Sequence, residues 1–173
     1  MLMGVVNMNT VVILEDSPDF TRSISLLIDK LKLNLEIIPC SLVKDNGVYN
    51  YIIVNNNLKT KAENLNCSYC LVNVDNLSEK EISTSIYGNI ITYGYGNKNT
   101  VTVSSVGDEE GHLIYCLQRN LNNNSFGMLE PIEIPIHGEY HNEDEIYAVI
   151  SLITISLIEG IDIDYLRKKI IEK

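Results

Sequence analysis

Apolar residues fall into several short runs along the first half of the chain and one long run near its end. Thr10–Leu14 (TVVIL) is apolar without a break, the pattern of a strand buried on both faces. Ser17-Pro18-Asp19 follows and predicts a helix start, with Ser as N-cap, Pro at the first helical position and an acid in the first turn. Phe20, Ile24, Leu27 and Leu31 recur at helical spacing and extend that helix over Pro18–Leu31. Leu35–Ile38, Tyr49–Val54, Cys70–Val74 and Asn89–Tyr93 read as further strands. Asn55-Asn56-Asn57 closes the second of these, and a short helix is expected near Ser78–Ser85. Alternating strands and helices predict a parallel sheet covered by helices.

The pattern changes after Tyr93. Thr100–Ser105, Leu113–Leu117 and Ile132–Ile136 read as strands without helices between them, so a small antiparallel subsheet is expected. Gly107-Asp108-Glu109-Glu110-Gly111 reads as a hairpin turn and Asn120–Ser125 as a polar loop. Asn142-Glu143-Asp144-Glu145 opens a long helix: Asn142 can accept a backbone amide two or three residues on, and Glu145 can reach back as in a capping box. Tyr147–Ile158 is apolar nearly all round, so this helix should be buried on most faces. Gly160 ends it, and Asp162 can cap a last helix whose Arg167-Lys168-Lys169 suit its C-terminal end. The whole reads as one α/β domain over residues 1–173, a mostly parallel sheet flanked by helices.

Charge narrows the partners. A formal net charge of −10 argues against binding nucleic-acid phosphates or anionic membranes, which need clustered Lys and Arg. A protein partner or self-association is the expected mode of interaction. Met1–Leu14 lacks the basic start of a signal peptide, and the apolar run Ile146–Ile158 is shorter than the ~20 residues a bilayer needs. Cytoplasmic placement is the expectation. The four cysteines impose no disulfide framework on a chain able to build its own core.

Three groups of residues carry candidate chemistry. Glu15, Asp16 and Asp19 follow the first strand, where ligands of open α/β sheets bind, and carboxylates there suit Mg²⁺; the competing reading is a loop whose acids favour a helix N-terminus. Glu139, His141, Glu143, Asp144 and Glu145 are the densest ionisable cluster, with His141, Asn142 and Glu145 as its candidate ligand-site residues; here the competing reading is a well-capped helix. Cys67-x-x-Cys70 has the spacing of a redox or metal motif. It leads into a strand, so the two side chains are expected on opposite faces and the pair is read as structural. His112 and Cys116 stand four apart on a strand, too far for one zinc ion. No catalytic residue, metal or cofactor is assigned, and Tyr93, Tyr95, Tyr140 and Tyr147 are read as packing residues.

The order of several short motifs resembles the ATP-binding central domain of the Mur ligases, which build the peptide of bacterial peptidoglycan. Leu71–Asn76 (LVNVDN) resembles that family's strand ending in Asn-x-Asp-Asp, and Asn89–Tyr95 (NIITYGY) its next strand, an apolar run into Phe/Tyr-Gly. Thr100–Leu117 fits its antiparallel strands. Pro135–Asn142 (PIHGEYHN) resembles its Pro-x-x-Gly-x-His-Asn turn with one residue inserted, and the long helix and Gly160-Ile161-Asp162 follow. The resemblance spans residues 68–172. It implies a Mur ligase central-domain-like fold.

The departures from that family bear on function. Its members hold ATP with a Gly-Lys-Thr loop after the first strand, whose glycine amides and Lys contact phosphates. Here Leu14-Glu15-Asp16-Ser17-Pro18-Asp19 has neither Gly nor Lys in that place. The family's adenine-contacting Asn is replaced by the region Glu143-Asp144-Glu145. At 173 residues there is no room for the family's UDP-substrate and C-terminal domains. ATP-dependent ligation is therefore expected to be absent, and the leading expectation is a non-catalytic, cell-wall-related accessory or binding protein. One alternative is a small metal-dependent enzyme or ligand-binding protein using the acidic loop or the His141 region. Another is a degenerate signalling domain: ILEDSPDF with its amphipathic helix resembles the start of a response-regulator receiver, with Asn55 where the phosphoacceptor Asp would stand.

Overall fold

Val11, Val12 and Ile13, the heart of the first apolar run, lie inside an eight-stranded sheet with 0%, 0% and 4% of their surface exposed. The structure is a computed structural model and describes residues 8–14, 17–56, 60–77, 84–105, 112–124 and 127–171. In chain order the described elements are β1 (Asn9–Ile13), α1 (Pro18–Leu31), β2 (Leu35–Ile38), β3 (Gly47–Val54), β4 (Asn64–Asn73) and β5 (Ser85–Tyr93). Then come β6 (Val101–Ser105), β7 (His112–Leu117), β8 (Leu121–Asn123), β9 (Gly127–Leu129), β10 (Ile132–His137), α2 (Glu143–Ile158) and α3 (Ile163–Ile171). A 3₁₀ turn at Cys40–Leu42 joins β2 to β3.

The large sheet runs β10-β7-β6-β5-β4-β3-β1-β2. β2, β1, β3, β4 and β5 pair in parallel, and β6 joins β5 in parallel through Tyr93 opposite Val101. β7 and β10 extend it antiparallel. The α/β fold, the mostly parallel sheet and the antiparallel extension expected from the sequence are all present. β8 and β9 form a separate antiparallel pair.

Some local expectations change. Asn120–Ser125, expected to be a loop, contains β8, because Leu121 and Asn123 are buried on one side of that short strand and pair with β9. The helix expected near Ser78–Ser85 falls mainly on 78–83, outside the described residues, and Ser85 itself opens β5. The turn at Gly107–Gly111 also lies outside the described residues, but β6 and β7 pair antiparallel as a hairpin would. β4 begins at Asn64 rather than Cys70, since its alternation is interrupted midway.

The helix ends follow local rules. Ser17 Oγ accepts from Phe20 N at 3.4 Å and Pro18 fills the first helical position of α1. Lys32 closes that helix in the left-handed conformation, φ 55°. Asp162 Oδ1 accepts from Tyr165 N at 3.0 Å and caps α3.

All three described helices bury their apolar sides in one cluster on a single face of the sheet, with Phe20 and Ile24 from α1, Leu152 and Ile155 from α2, and Leu166 from α3. Val12, Leu14, Ile52, Val54, Leu65 and Cys70 form a smaller cluster on the opposite face. From Tyr147 to Ile158 every residue of α2 is buried. It lies among α1, α3, β6 and β8, which explains a sequence without a polar side. Each of its Leu and Ile side chains contributes ~1.5–3 kcal/mol by leaving water. Its hydroxyls return to the helix's own carbonyls, Thr154 Oγ1 to Ile150 O at 2.8 Å and Ser156 Oγ to Leu152 O at 2.6 Å. No helix among the described residues is long and apolar enough to cross a membrane.

Candidate functional site

β1 is the point where the sheet reverses. The chain leaves β1 for β2 on one side and returns to β3 on the other, which separates the turns beyond the carboxyl ends of β1 and β3. Open α/β sheets place ligands at that position. Here Ser17 follows β1, Asn55 follows β3, Asn73 ends β4 and Tyr93 ends β5. The N-terminus of α2 meets Ser17 and Asn55 through Asp144, and Tyr93 through Tyr147.

Asp144, in the first turn of α2, occupies the reversal point. Its Oδ2 accepts from Ser17 Oγ at 2.8 Å, and its Oδ1 accepts from Asn55 Nδ2 at 3.3 Å. Asn55 and Asn73 are both fully buried. Asn55 Oδ1 accepts from Asn73 Nδ2 at 2.8 Å and from the Tyr93 hydroxyl at 3.1 Å. Asn73 Oδ1 in turn accepts from Asp75 N at 3.0 Å. Five elements, α1, α2, β3, β4 and β5, are thus tied together by side chains at the sheet's carboxyl edge, each buried amide having a partner.

Asp75 makes a second centre beside the first. Its Oδ2 accepts from Tyr95 N at 2.7 Å and from the Tyr147 hydroxyl at 3.1 Å. Gly94 holds φ +148° there, and a Cβ on it would lie 2.5 Å from Asp75 Oδ2, so only glycine lets the chain pass the carboxylate. Tyr147 packs against Tyr93 and Tyr95 with ring centroids 5.9 and 5.7 Å apart and planes tilted by about 60°. Burial first, and then the Asp75 carboxylate, push the Tyr147 phenol above its ordinary pKa. Burial raises Tyr95 as well, helped by Glu143 and Asp75. Both phenols are held in the neutral form.

The sequence-derived candidates divide. Glu15 and Asp16 lie outside the described residues. Asp19 is exposed in the first turn of α1. Asn142 and Glu145 cap α2: Asn142 Oδ1 accepts from Glu145 N at 2.9 Å, and Glu145 Oε2 accepts from His141 N at 2.9 Å. His141 therefore enters this cap through its backbone. Beside it Tyr140, packed on Gly138, has its phenol pushed up to about 12 by burial and by Glu145. No cluster of three or more His, Cys, Asp or Glu able to hold a metal ion occurs among the described residues.

Sequence reasoning gave no site role to Ser17, Asn73, Asp75, Tyr93, Tyr95 or Tyr147. A signal existed in Asn55 and Asn73, each at the end of a strand with apolar residues before it, where a buried amide must find partners. Nothing in the sequence names Asp144 as the partner, because the bond spans 89 positions.

No protein-family model matches the chain, and no curated protein matches it significantly. Among solved structures it resembles MurF from Acinetobacter baumannii, with 7% identity and a TM-score of 0.40. That alignment covers 94% of this chain and 45% of the MurF chain, so this chain spans less than half the length of that protein. A likeness so loose shows nothing of this chain's chemistry.

Proposed function

We propose that this chain is a non-catalytic binding protein with a Mur ligase-like central-domain architecture, acting without ATP-dependent ligation. The observation that carries the reading is the place of Asp144. Its carboxylate bridges Ser17 and Asn55 at the reversal point. A phosphate brought to the N-terminus of α1 would meet that carboxylate, at a cost of ~1–4 kcal/mol for a like-charge contact near 4 Å in a medium between water and a protein surface. Asp19, Asp75, Glu143 and Glu145 add negative charge to the same edge. An acidic, hydrogen-bonded edge suits a protein partner with basic groups. The sequence resemblance over residues 68–172 is the ground for placing that partner in bacterial cell-wall assembly.

The test is a thermal-shift titration with ATP·Mg²⁺, Mg²⁺ alone and a UDP-linked muropeptide. A ligand at a hundred times its Kd stabilises by about 2.7 kcal/mol, which moves Tm by several degrees. No shift with ATP·Mg²⁺ is expected, and a saturable shift that Mg²⁺ alone does not reproduce would overturn the reading.

A second reading has one observation in its favour. The order β2-β1-β3-β4-β5 with Asn55 directly after β3 is the arrangement expected of a receiver-like domain whose phosphoacceptor has become Asn. The antiparallel extension through β6, β7 and β10 weighs against it.

A further inference from the structure

The two cysteines of Cys67-x-x-Cys70 share one face of β4, contrary to the alternation expected of a strand. The cause is a break in pairing with β5. Asn66 lies opposite Tyr87 and Tyr69 opposite Asn89, so β4 advances three residues while β5 advances two. One extra residue in a strand is a β-bulge, and it inverts the faces of everything after it. Leu65 and Cys67 before the bulge face the smaller cluster, and so do Cys70 and Val72 after it, while Tyr69 and Leu71 face the larger one. Asn89 Nδ2 donates to Ser68 O at 2.9 Å within the bulge. Gly88 lies beside it, where a Cβ would come within 2.7 Å of Cys67 Sγ.

The two thiols differ in access. Cys70 is 2% exposed. Cys67 is half-buried, with its thiol donating to Tyr87 O at 3.7 Å. The neighbouring Cys70 thiol draws the Cys67 pKa below the usual thiol value against the opposing effect of burial. The nearness of Cys67, then burial and the charge on Cys67, hold Cys70 well above it. An accessible sulfur favoured as thiolate beside a buried protonated one is an attacking and a resolving thiol.

We propose that Cys67 and Cys70 form a reactive dithiol that closes to an intrastrand disulfide on meeting a low-molecular-weight disulfide. The Cys67 thiolate attacks one sulfur of the small disulfide, forming a mixed disulfide and releasing one thiolate, which takes up a proton. Cys70 then attacks the Cys67 sulfur, its proton passing to the second departing thiolate. The protein loses two protons and two electrons, and the small disulfide takes them up to become two thiols. Closure draws the two ends of the bulge together next to the exposed Tyr87 and Ile90 of β5, so the state of the pair changes that surface.

The test uses the reduced whole protein, oxidised glutathione, N-ethylmaleimide trapping and mass spectrometry of the tryptic peptide Ala62–Lys80, which contains no other cysteine. The expected product is that peptide lighter by two hydrogens and free of maleimide. Cys70→Ser, or Cys70→Ala should the first variant fold poorly by circular dichroism, is expected to retain glutathione on Cys67. Cys67→Ser is expected to react at Cys70 at least about tenfold more slowly than the wild type reacts at Cys67. A wild-type peptide that keeps both maleimides, a lasting glutathione adduct on wild-type Cys67, or equal reactivity of Cys70 in Cys67→Ser would each overturn the proposal.

Discussion

Ser17 Oγ donates to Asp144 Oδ2 at 2.8 Å, joining the N-termini of α1 and α2 across the reversal point of the sheet. The other carboxylate oxygen accepts from the fully buried Asn55. Removing this carboxylate leaves a buried amide hydrogen without a partner. Asp144→Ala is therefore expected to lower unfolding free energy by about 1–3 kcal/mol, and Asp144→Asn, which keeps one acceptor, by less. Urea denaturation measures both. A loss below about 0.5 kcal/mol for the alanine variant would show that the bridge adds little to the fold.

At Asp75 the prediction concerns shape rather than charge. Gly94→Ala brings a Cβ onto Asp75 Oδ2 at a backbone angle that side chains rarely adopt. The strain is expected to cost about 1–3 kcal/mol. Tyr147→Phe removes one hydrogen bond to the same carboxylate and is expected to cost roughly 1–2 kcal/mol, a smaller loss than Gly94→Ala. Equal stability of Gly94→Ala and wild type would mean that Asp75 can move aside freely.

Buried phenols set the behaviour of the protein in alkali. Tyr51, Tyr115 and Tyr147 are each pushed above the ordinary phenol value, mainly by burial. Their folded pKa exceeds the unfolded value near 10, so the unfolded chain loses protons first as pH rises. Their contribution to stability is complete below about pH 10 and is lost progressively above it. Unfolding free energy measured from about pH 8 to pH 11 should fall at the upper end, with a smaller slope in Tyr147→Phe. A flat profile, or one rising with pH, would contradict this.

Asn55→Asp tests the neighbourhood of Asp144 and the receiver-like reading together. The new carboxylate keeps Asn73 Nδ2 and the Tyr93 hydroxyl as donors but faces Asp144 Oδ1, from which the native amide nitrogen lies 3.3 Å away. Two adjoining carboxylates raise their shared folded pKa above the unfolded ~3.9. The variant is thus expected to be least impaired below about pH 4 and to lose stability relative to wild type as pH rises toward neutrality. Acetyl phosphate is expected to leave it unmodified, and covalent phosphorylation at that position would favour the receiver-like reading instead.

Local pattern made much of the fold legible. Pro18–Leu31 is the helix that Ser17-Pro18 and the spacing of Phe20, Ile24 and Leu31 imply, and the caps at Asn142 and Asp162 form as their residue types require. The β4 bulge was not legible, because an extra residue shows only in the pairing with β5, and so Cys67 and Cys70 were expected on opposite faces. The carboxyl edge was half legible. Asn142 and Glu145 were visible as a charged cluster yet serve the helix cap, whereas Ser17, Asn55 and Asp144 meet only because distant elements converge. Short-range rules reach three or four residues; this site depends on separations of 127 and 89.

The most direct test of the central claim is an amide NMR titration of the isotope-labelled protein with ATP·Mg²⁺, using Mg²⁺ alone as the reference. The account predicts that the resonances of Ser17, Asn55 and Asp144 stay in place up to millimolar nucleotide, because a carboxylate already fills the reversal point. Saturable movement of those three resonances with ATP·Mg²⁺ and not with Mg²⁺ would contradict it and identify the edge as a nucleotide site.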